Sequence, residues 1–177
     1  MYRARSNNIF FRDVGLPENN TMQEQPSHLR IVLFQPDIPG NTGTILRMAA
    51  CLGMTVDIIQ PAGFRLDDKS LRRAGMDYLE RAAMHLHDDW LAFEVWRQEQ
   101  KRRLLVLTTK ADRAYTDLSF KHDDCLLFGR ESSGVPDFVH HAADERLTIP
   151  MAQTGRSLNI AMSVAMTCGE AIRQTSG

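Results

Sequence analysis

The sequence predicts an α/β domain, a mostly parallel sheet with helices on both faces. Three observations predict it. Short apolar runs alternate with amphipathic ones from Leu29 to about residue 173, the pattern of strand–helix–strand units. Runs such as LRIVLFQ (29–35) and RLLVLTT (103–109) are nearly continuous in apolar residues, as strands buried on both faces require. The carboxyl ends of four strands read QPDIPGNTG, TTK, FGRESSG and IPMAQTGRS, all rich in glycine, small polar residues and charge. In open parallel sheets, ligands bind at those ends.

The elements follow in order. After LRIVLFQ and the loop PDIPGN, TGTILRMAACLG reads as a helix, with Asn41 as N-cap and Gly53 as its stop. Ile45, Met48, Ala49 and Leu52 form its core stripe at i, i+3, i+4 and i+7. TVDIIQ (55–60) is a strand, and DDKSLRRAG a short helix with acids first and bases last, matching the macrodipole. A weak strand falls around Arg81–Leu86. Then come the helix DDWLAFEVWRQEQ, the strand RLLVLTT, the strand DCLLFG (124–129), the short helix PDFVHHA and the strand ERLTIP (145–150). The terminal helix presents Leu158, Met162, Ala165, Met166, Gly169 and Ile172 on one face, with Ser157 as N-cap. Residues 1–27 lack periodicity and carry Asn7, Asn8, Pro17, Asn19, Asn20, Gln23, Gln25 and Pro26. They read as a mobile extension ahead of a domain over 28–177, with Met22 a possible natural start.

Composition excludes several classes. The 177 residues suit one domain with a real core. No apolar run is long enough to span a bilayer, and no signal-type h-region is present. Cys51, Cys125 and Cys168 are odd in number and widely spaced, which argues against a disulfide framework or a zinc site and for a reducing cytoplasm. A formal net charge of -1 means that any nucleic-acid surface is local. There is no H-E-x-x-H and no C-x-x-C; His85, His87, His140 and His141 read as surface or loop histidines, and no metal is expected.

Three constellations carry chemistry. Asn41-Thr42-Gly43 precedes Arg47, which lies opposite the core stripe and is free to face the space above the sheet. Phe128-Gly129-Arg130-Glu131-Ser132-Ser133-Gly134-Val135-Pro136 brackets a loop with two glycines, allowing backbone to approach a ligand. Its spacing is neither G-x-G-x-x-G nor a Walker A motif, and GNTG (40–43) lacks the Walker lysine, so NTP hydrolysis is disfavoured. IPMAQTGRSLNIAMSVA (149–165) joins a strand to the terminal helix through a polar loop, with Asn159 in the first turn.

Together these stretches resemble the SPOUT superfamily of RNA methyltransferases: strand–PxxPGNTGxxxR, strand–FGxExxGVP, strand–IPM…xSLNIAxSVA. The likeness covers residue 29 to about 173. GFRLDDKSLRRAGMDY (63–78) and LLVLTTK (104–110) are similar to the small wobble-nucleotide 2′-O-methyltransferases, the TrmL or YibK type. The resemblance implies a deep C-terminal trefoil knot, S-adenosylmethionine as methyl donor, a homodimer, and tRNA cytidine or uridine 34 as target, met through the anticodon stem-loop. It implies that Leu107, Thr108, Gly129, Glu131, Ile149, Met151, Ser157 and Leu158 hold the donor. Glu131 orders the loop or pairs with a nearby arginine. Arg47 is the cation at the reacting hydroxyl, with Asn41 and Asn159 orienting it, the ribose or the donor. Ile149, Met151 and Leu158 supply the apolar walls that adenine needs.

A basic surface for phosphates is expected from Arg65, Lys69, Arg72, Arg73, Lys101, Arg102, Arg103, Lys110 and Arg113, about half of them engaged only with solvent. Two positions depart from wobble-type relatives: Gly169, where a tyrosine is frequent, and Arg130, where proline is. Alternatives are the same chemistry at another tRNA or rRNA site, and a non-catalytic RNA-binding module on the same fold.

Overall fold

The computed structural model describes residues 29–65, 83–152 and 157–175. Six strands form one sheet in the order β3-β2-β1-β5-β4-β6, with every pairing parallel. They are β1 (Arg30–Phe34), β2 (Thr55–Ile59), β3 (Met84–His87), β4 (Leu104–Leu107), β5 (Cys125–Phe128) and β6 (Glu145–Leu147). Among the described residues the helices are α1 (Pro39–Leu52), α2 (Trp90–Glu99), α3 (Asp137–Ala142) and α4 (Ile160–Thr175).

The period of two along each strand divides the core. Ile31 and Leu33 of β1 face the layer of α1 and α4, with Ile45, Leu46, Ala49, Val164, Cys168 and Ala171. Val32 and Phe34 face the layer of α2 and α3, with Phe93 and Val139. All five β1 residues are buried, which accounts for the unbroken apolar run in the sequence.

Several expectations need correction. α1 begins at Pro39, with Ile38 in the capping position, so Asn41 lies inside the first turn. Proline is pre-organised for the start of a helix, and its missing N–H costs nothing there. Gly53 does stop α1, at φ 65°. The buried stripe uses Leu46, while Leu52 is exposed, because α1 is wedged between the sheet and α4 rather than lying over the sheet alone.

α4 is rotated relative to expectation. Val164, Thr167, Cys168, Ala171 and Thr175 are buried, whereas Leu158, Met162 and Met166 are exposed, together with Ala165 and Gly169. Periodicity found an apolar face, but the small-residue face packs closely against α1. Asn159, not Ser157, caps the helix: its Oδ1 accepts from the Ala161 N–H at 2.8 Å.

His87 and His140 are buried rather than on the surface. His87 Nε2 lies 2.7 Å from the fully buried Asp57, which also pairs with Arg30. The expected extension (1–27) and the DDKSLRRAG helix lie outside the described residues.

Candidate active site

The strand order reverses between β1 and β5, since the chain builds β2 and β3 on one side and returns to the other. A crevice opens at such a switch point beyond the strand ends. Here the loops after β1 and β5 meet across it. Gln35, the residue after β1, has φ 46°, a left-handed backbone that turns the chain abruptly into the loop.

Asp37 is the hub of that meeting. Its Oδ1 accepts from Arg130 Nε at 3.0 Å and from Nη2 at 2.5 Å. Its Oδ2 accepts from the Ser132 N–H at 3.2 Å and the Ser132 hydroxyl at 2.5 Å. The Arg130 and Ser132 hydrogen bonds hold this carboxyl at about 2, below its ordinary 3.8.

Glu131 faces the other way. Its Oε2 accepts from the Asp37 N–H at 2.9 Å and its Oε1 from Asn41 Nδ2 at 3.1 Å. A carboxylate only accepts, so Asn41 must present its amide nitrogen to Glu131 and its oxygen outward. That oxygen accepts from Asn159 Nδ2 at 3.0 Å, which leaves Asn159 Oδ1 to cap α4. One directional chain of hydrogen bonds thus runs from the β5 loop through α1 to the start of α4.

Under this chain lies a cavity of about 480 Å³. That is within the range of small-molecule sites. The loops after β1, β4, β5 and β6 and the start of α4 contribute to it. Leu107, Ile149, Met151 and Leu158 give apolar wall; Thr108, Ser157 and Asn159 give polar rim. Gly129 is required for close approach: a Cβ there would meet the Gly134 carbonyl carbon at 2.5 Å. His140 also lines the cavity, and burial, with help from Lys110 and Arg146, lowers its pKa.

The sequence over residues 28–169 matches the model of the SpoU rRNA Methylase family. The chain belongs to that family. It is 54% identical over 144 residues to the tRNA (cytidine(34)-2'-O)-methyltransferase of Beijerinckia indica subsp. indica, spanning 81% of this chain and 90% of the relative. It is 43% identical over 148 residues to the protein of the same name from Escherichia coli K12, spanning 82% and 93%. A solved structure described as "Structural insights into the 2-OH methylation of C/U34 on tRNA" superposes with a TM-score of 0.78 at 38% identity, covering 82% of this chain and 95% of that one. The SpoU methyltransferase AviRb from Streptomyces viridochromogenes, solved with AdoMet, shares the fold at 24% identity and a TM-score of 0.78, over 85% of this chain and 58% of that one.

In this SpoU-family chain, all eight residues expected to hold a donor line the one cavity: Leu107, Thr108, Gly129, Glu131, Ile149, Met151, Ser157 and Leu158. Asn41 and Asn159 join them. Arg47 does not; it is exposed on α1, outside the described lining. Glu131 orders the loop through Asp37 and Asn41, and the nearby arginine pairs with Asp37 instead. Sequence reasoning missed Asp37 and His140. The acid in PDIPGN was a usable signal for Asp37, but its partner lies 93 residues away.

The expected basic surface divides. Arg103 is tied to Asp124 and the Ser119 carbonyl, and Arg102 lies over the Trp96 ring. Arg113 pairs with Glu145 at 3.0 Å. Lys69, Arg72 and Arg73 lie outside the described residues.

Proposed function

We propose that this chain is an S-adenosylmethionine-dependent 2′-O-methyltransferase for the ribose of the wobble nucleotide, cytidine or uridine 34, of tRNA. Support comes from the family, from relatives of that name matched over nearly their whole length, and from the single cavity that the eight residues carried over by the family motifs line together.

The cavity fits the donor by its chemistry. Apolar walls from Leu107, Ile149, Met151 and Leu158 suit a purine and exclude water, and Thr108, Ser157 and the Gly129 backbone suit its polar edges. When bound, S-adenosylmethionine supplies an electrophilic methyl on sulfur. What remains for the protein is to orient a ribose hydroxyl and ease the loss of its proton. That hydroxyl is very weakly acidic, so a cation beside the developing alkoxide has the largest effect. Arg47 is that cation; guanidinium stays protonated in proteins, so it stabilises charge rather than accepting the proton. Asn41 and Asn159, locked by Glu131, fix the geometry between α1 and α4.

Arg47 enters the site through a homodimer. The exposed apolar face formed by Leu158 ahead of α4 and by Met162 and Met166 on it is what a second copy covers, and α4 packs directly against α1, which carries Arg47. The knot belongs to the crossing of the β5 and β6 loops, residues 28–177 form the methyltransferase domain, and residues 1–27 are an extension. No described helix is long and apolar enough to cross a membrane; a tRNA substrate supports a cytoplasmic enzyme.

The test is methyl transfer. Purified protein, labelled S-adenosylmethionine and unmodified tRNA are incubated, and nucleosides are mapped by mass spectrometry. Ribose-methylated cytidine or uridine at position 34 is the expected product. Methylation elsewhere would overturn the target, and no transfer with no cofactor binding would favour the non-catalytic module.

A further inference from the structure

A second cleft opens beside the cofactor cavity, between the loop after β4, the end of α3 and the edge strand β6. It shares Lys110 and His140 with the first cavity. Arg113 and Arg146 are its other cationic side chains, and His141 also lines it. Three acids also line it, and two are already engaged. Glu145 pairs with Arg113 at 3.0 Å. Asp144 accepts from the Leu104 N–H at 2.7 Å and lies 3.4 Å from Arg97. Asp112 remains. Among the described residues the Lys110 and Arg146 side chains have no hydrogen-bond or ion-pair partner. They come close enough for their charge to act on buried His140. With Asp112 as the one unengaged acid, Lys110 and Arg146 leave the cleft with an excess of positive charge, a site for an anion.

We propose that this cleft seats a backbone phosphodiester of the RNA strand whose ribose enters the neighbouring cavity, with Lys110 and Arg146 as the principal contacts. The inference rests on the RNA methyltransferase reading above. It goes further in naming the subsite, the group bound and the path of the strand, from the cofactor cavity across His140 to the β6 edge. The shared residues make the two cavities neighbours, so a strand leaving the first meets the cations of the second without crossing the fold. The contact is to phosphate and carries no sequence information; it sets register and affinity.

The experiment is equilibrium binding of an anticodon stem-loop RNA to the full-length protein over a range of salt concentrations. Arg146→Ala is chosen because Arg146 lies outside the cofactor cavity, so S-adenosylhomocysteine binding reports that the variant is folded. The expected result is an affinity loss of about 5–10-fold at low salt and a salt slope smaller by about 0.7–0.9, the signature of one lost phosphate contact. Arg146→Lys should restore most of both. Lys121→Ala removes the same charge from the loop before β5, at the opposite end of the sheet, and should leave the slope unchanged. Unaltered RNA affinity and slope in Arg146→Ala, or an equal effect from Lys121→Ala, would overturn the subsite. Failure of the parent reading would look different, because wild-type protein would then transfer no methyl group to tRNA.

Discussion

Asp37→Ala removes the hub that joins the β1 and β5 loops. The carboxylate takes two hydrogen bonds from Arg130 and two from Ser132. Bonds to charged groups contribute about 1.5–3 kcal/mol each when desolvated. The four cannot be summed here. The Asp37 and Arg130 side chains are 18% and 34% exposed, so the stranded guanidinium can rehydrate. A net cost of about 2 kcal/mol follows. The clamp joins the loop that carries Glu131 to the loop that leads into Asn41 of α1, so that cost falls on the cofactor-ready arrangement of the cavity. The expected readout is S-adenosylhomocysteine binding weakened about 10–30-fold by calorimetry. Asp37→Asn still accepts from Ser132 and should lose about 3–10-fold. Thermal unfolding separates the two possible meanings. A lower Tm with cofactor affinity within twofold of wild type would refute the reasoning, because Asp37 would then hold the fold and not the site.

Four further outcomes are expected. Arg47→Ala should nearly abolish methyl transfer while cofactor affinity stays similar; a variant with near-full turnover would remove Arg47 from the mechanism. Gly129→Ala forces a Cβ into the Gly134 backbone and should cost about 1–3 kcal/mol in urea unfolding, with weaker cofactor binding. Met162→Glu puts a charge in the middle of the exposed α4 face, and sedimentation should show a shift toward monomer together with lost activity; a variant that sediments as wild type would exclude that face as the interface. The Asp37 carboxyl is held at about 2 in the folded protein against an ordinary 3.8, so its stabilisation is complete above the ordinary value and is lost as pH falls toward 2. Screening of a partly exposed group limits the effect to about 1–2 kcal/mol, and Asp37→Asn should flatten that limb of the acid-unfolding profile.

The sequence by itself determined the layered α/β class, because a strand buried on both faces must be apolar throughout and its connections must be amphipathic. It also determined which residues line the cavity, since FGRESSG, IPM and the SLN run sit at strand ends where a parallel sheet opens its crevice. Local rules reached less far at the helix starts. Asn41 and Ser157 look like caps in one dimension. Pro39 begins α1 earlier, and Asn159 takes the cap of α4, because the Asn41–Asn159 pair forms only when the two helices lie side by side.

Tertiary structure alone decided which face of α4 is inside. Its larger apolar residues lie outward, and small Val164, Cys168 and Ala171 lie inward, because the gap left by α1 and the sheet admits only small side chains. Periodicity finds a face and cannot tell a core from a surface awaiting a partner. Tertiary structure likewise made Asp37 a hub, by closing a contact between residues 93 positions apart. It buried His87 against Asp57, and it set Lys110 and Arg146 apart from arginines already committed to neighbours. Composition counts charges; only their placement decides which ones still lack a counter-charge.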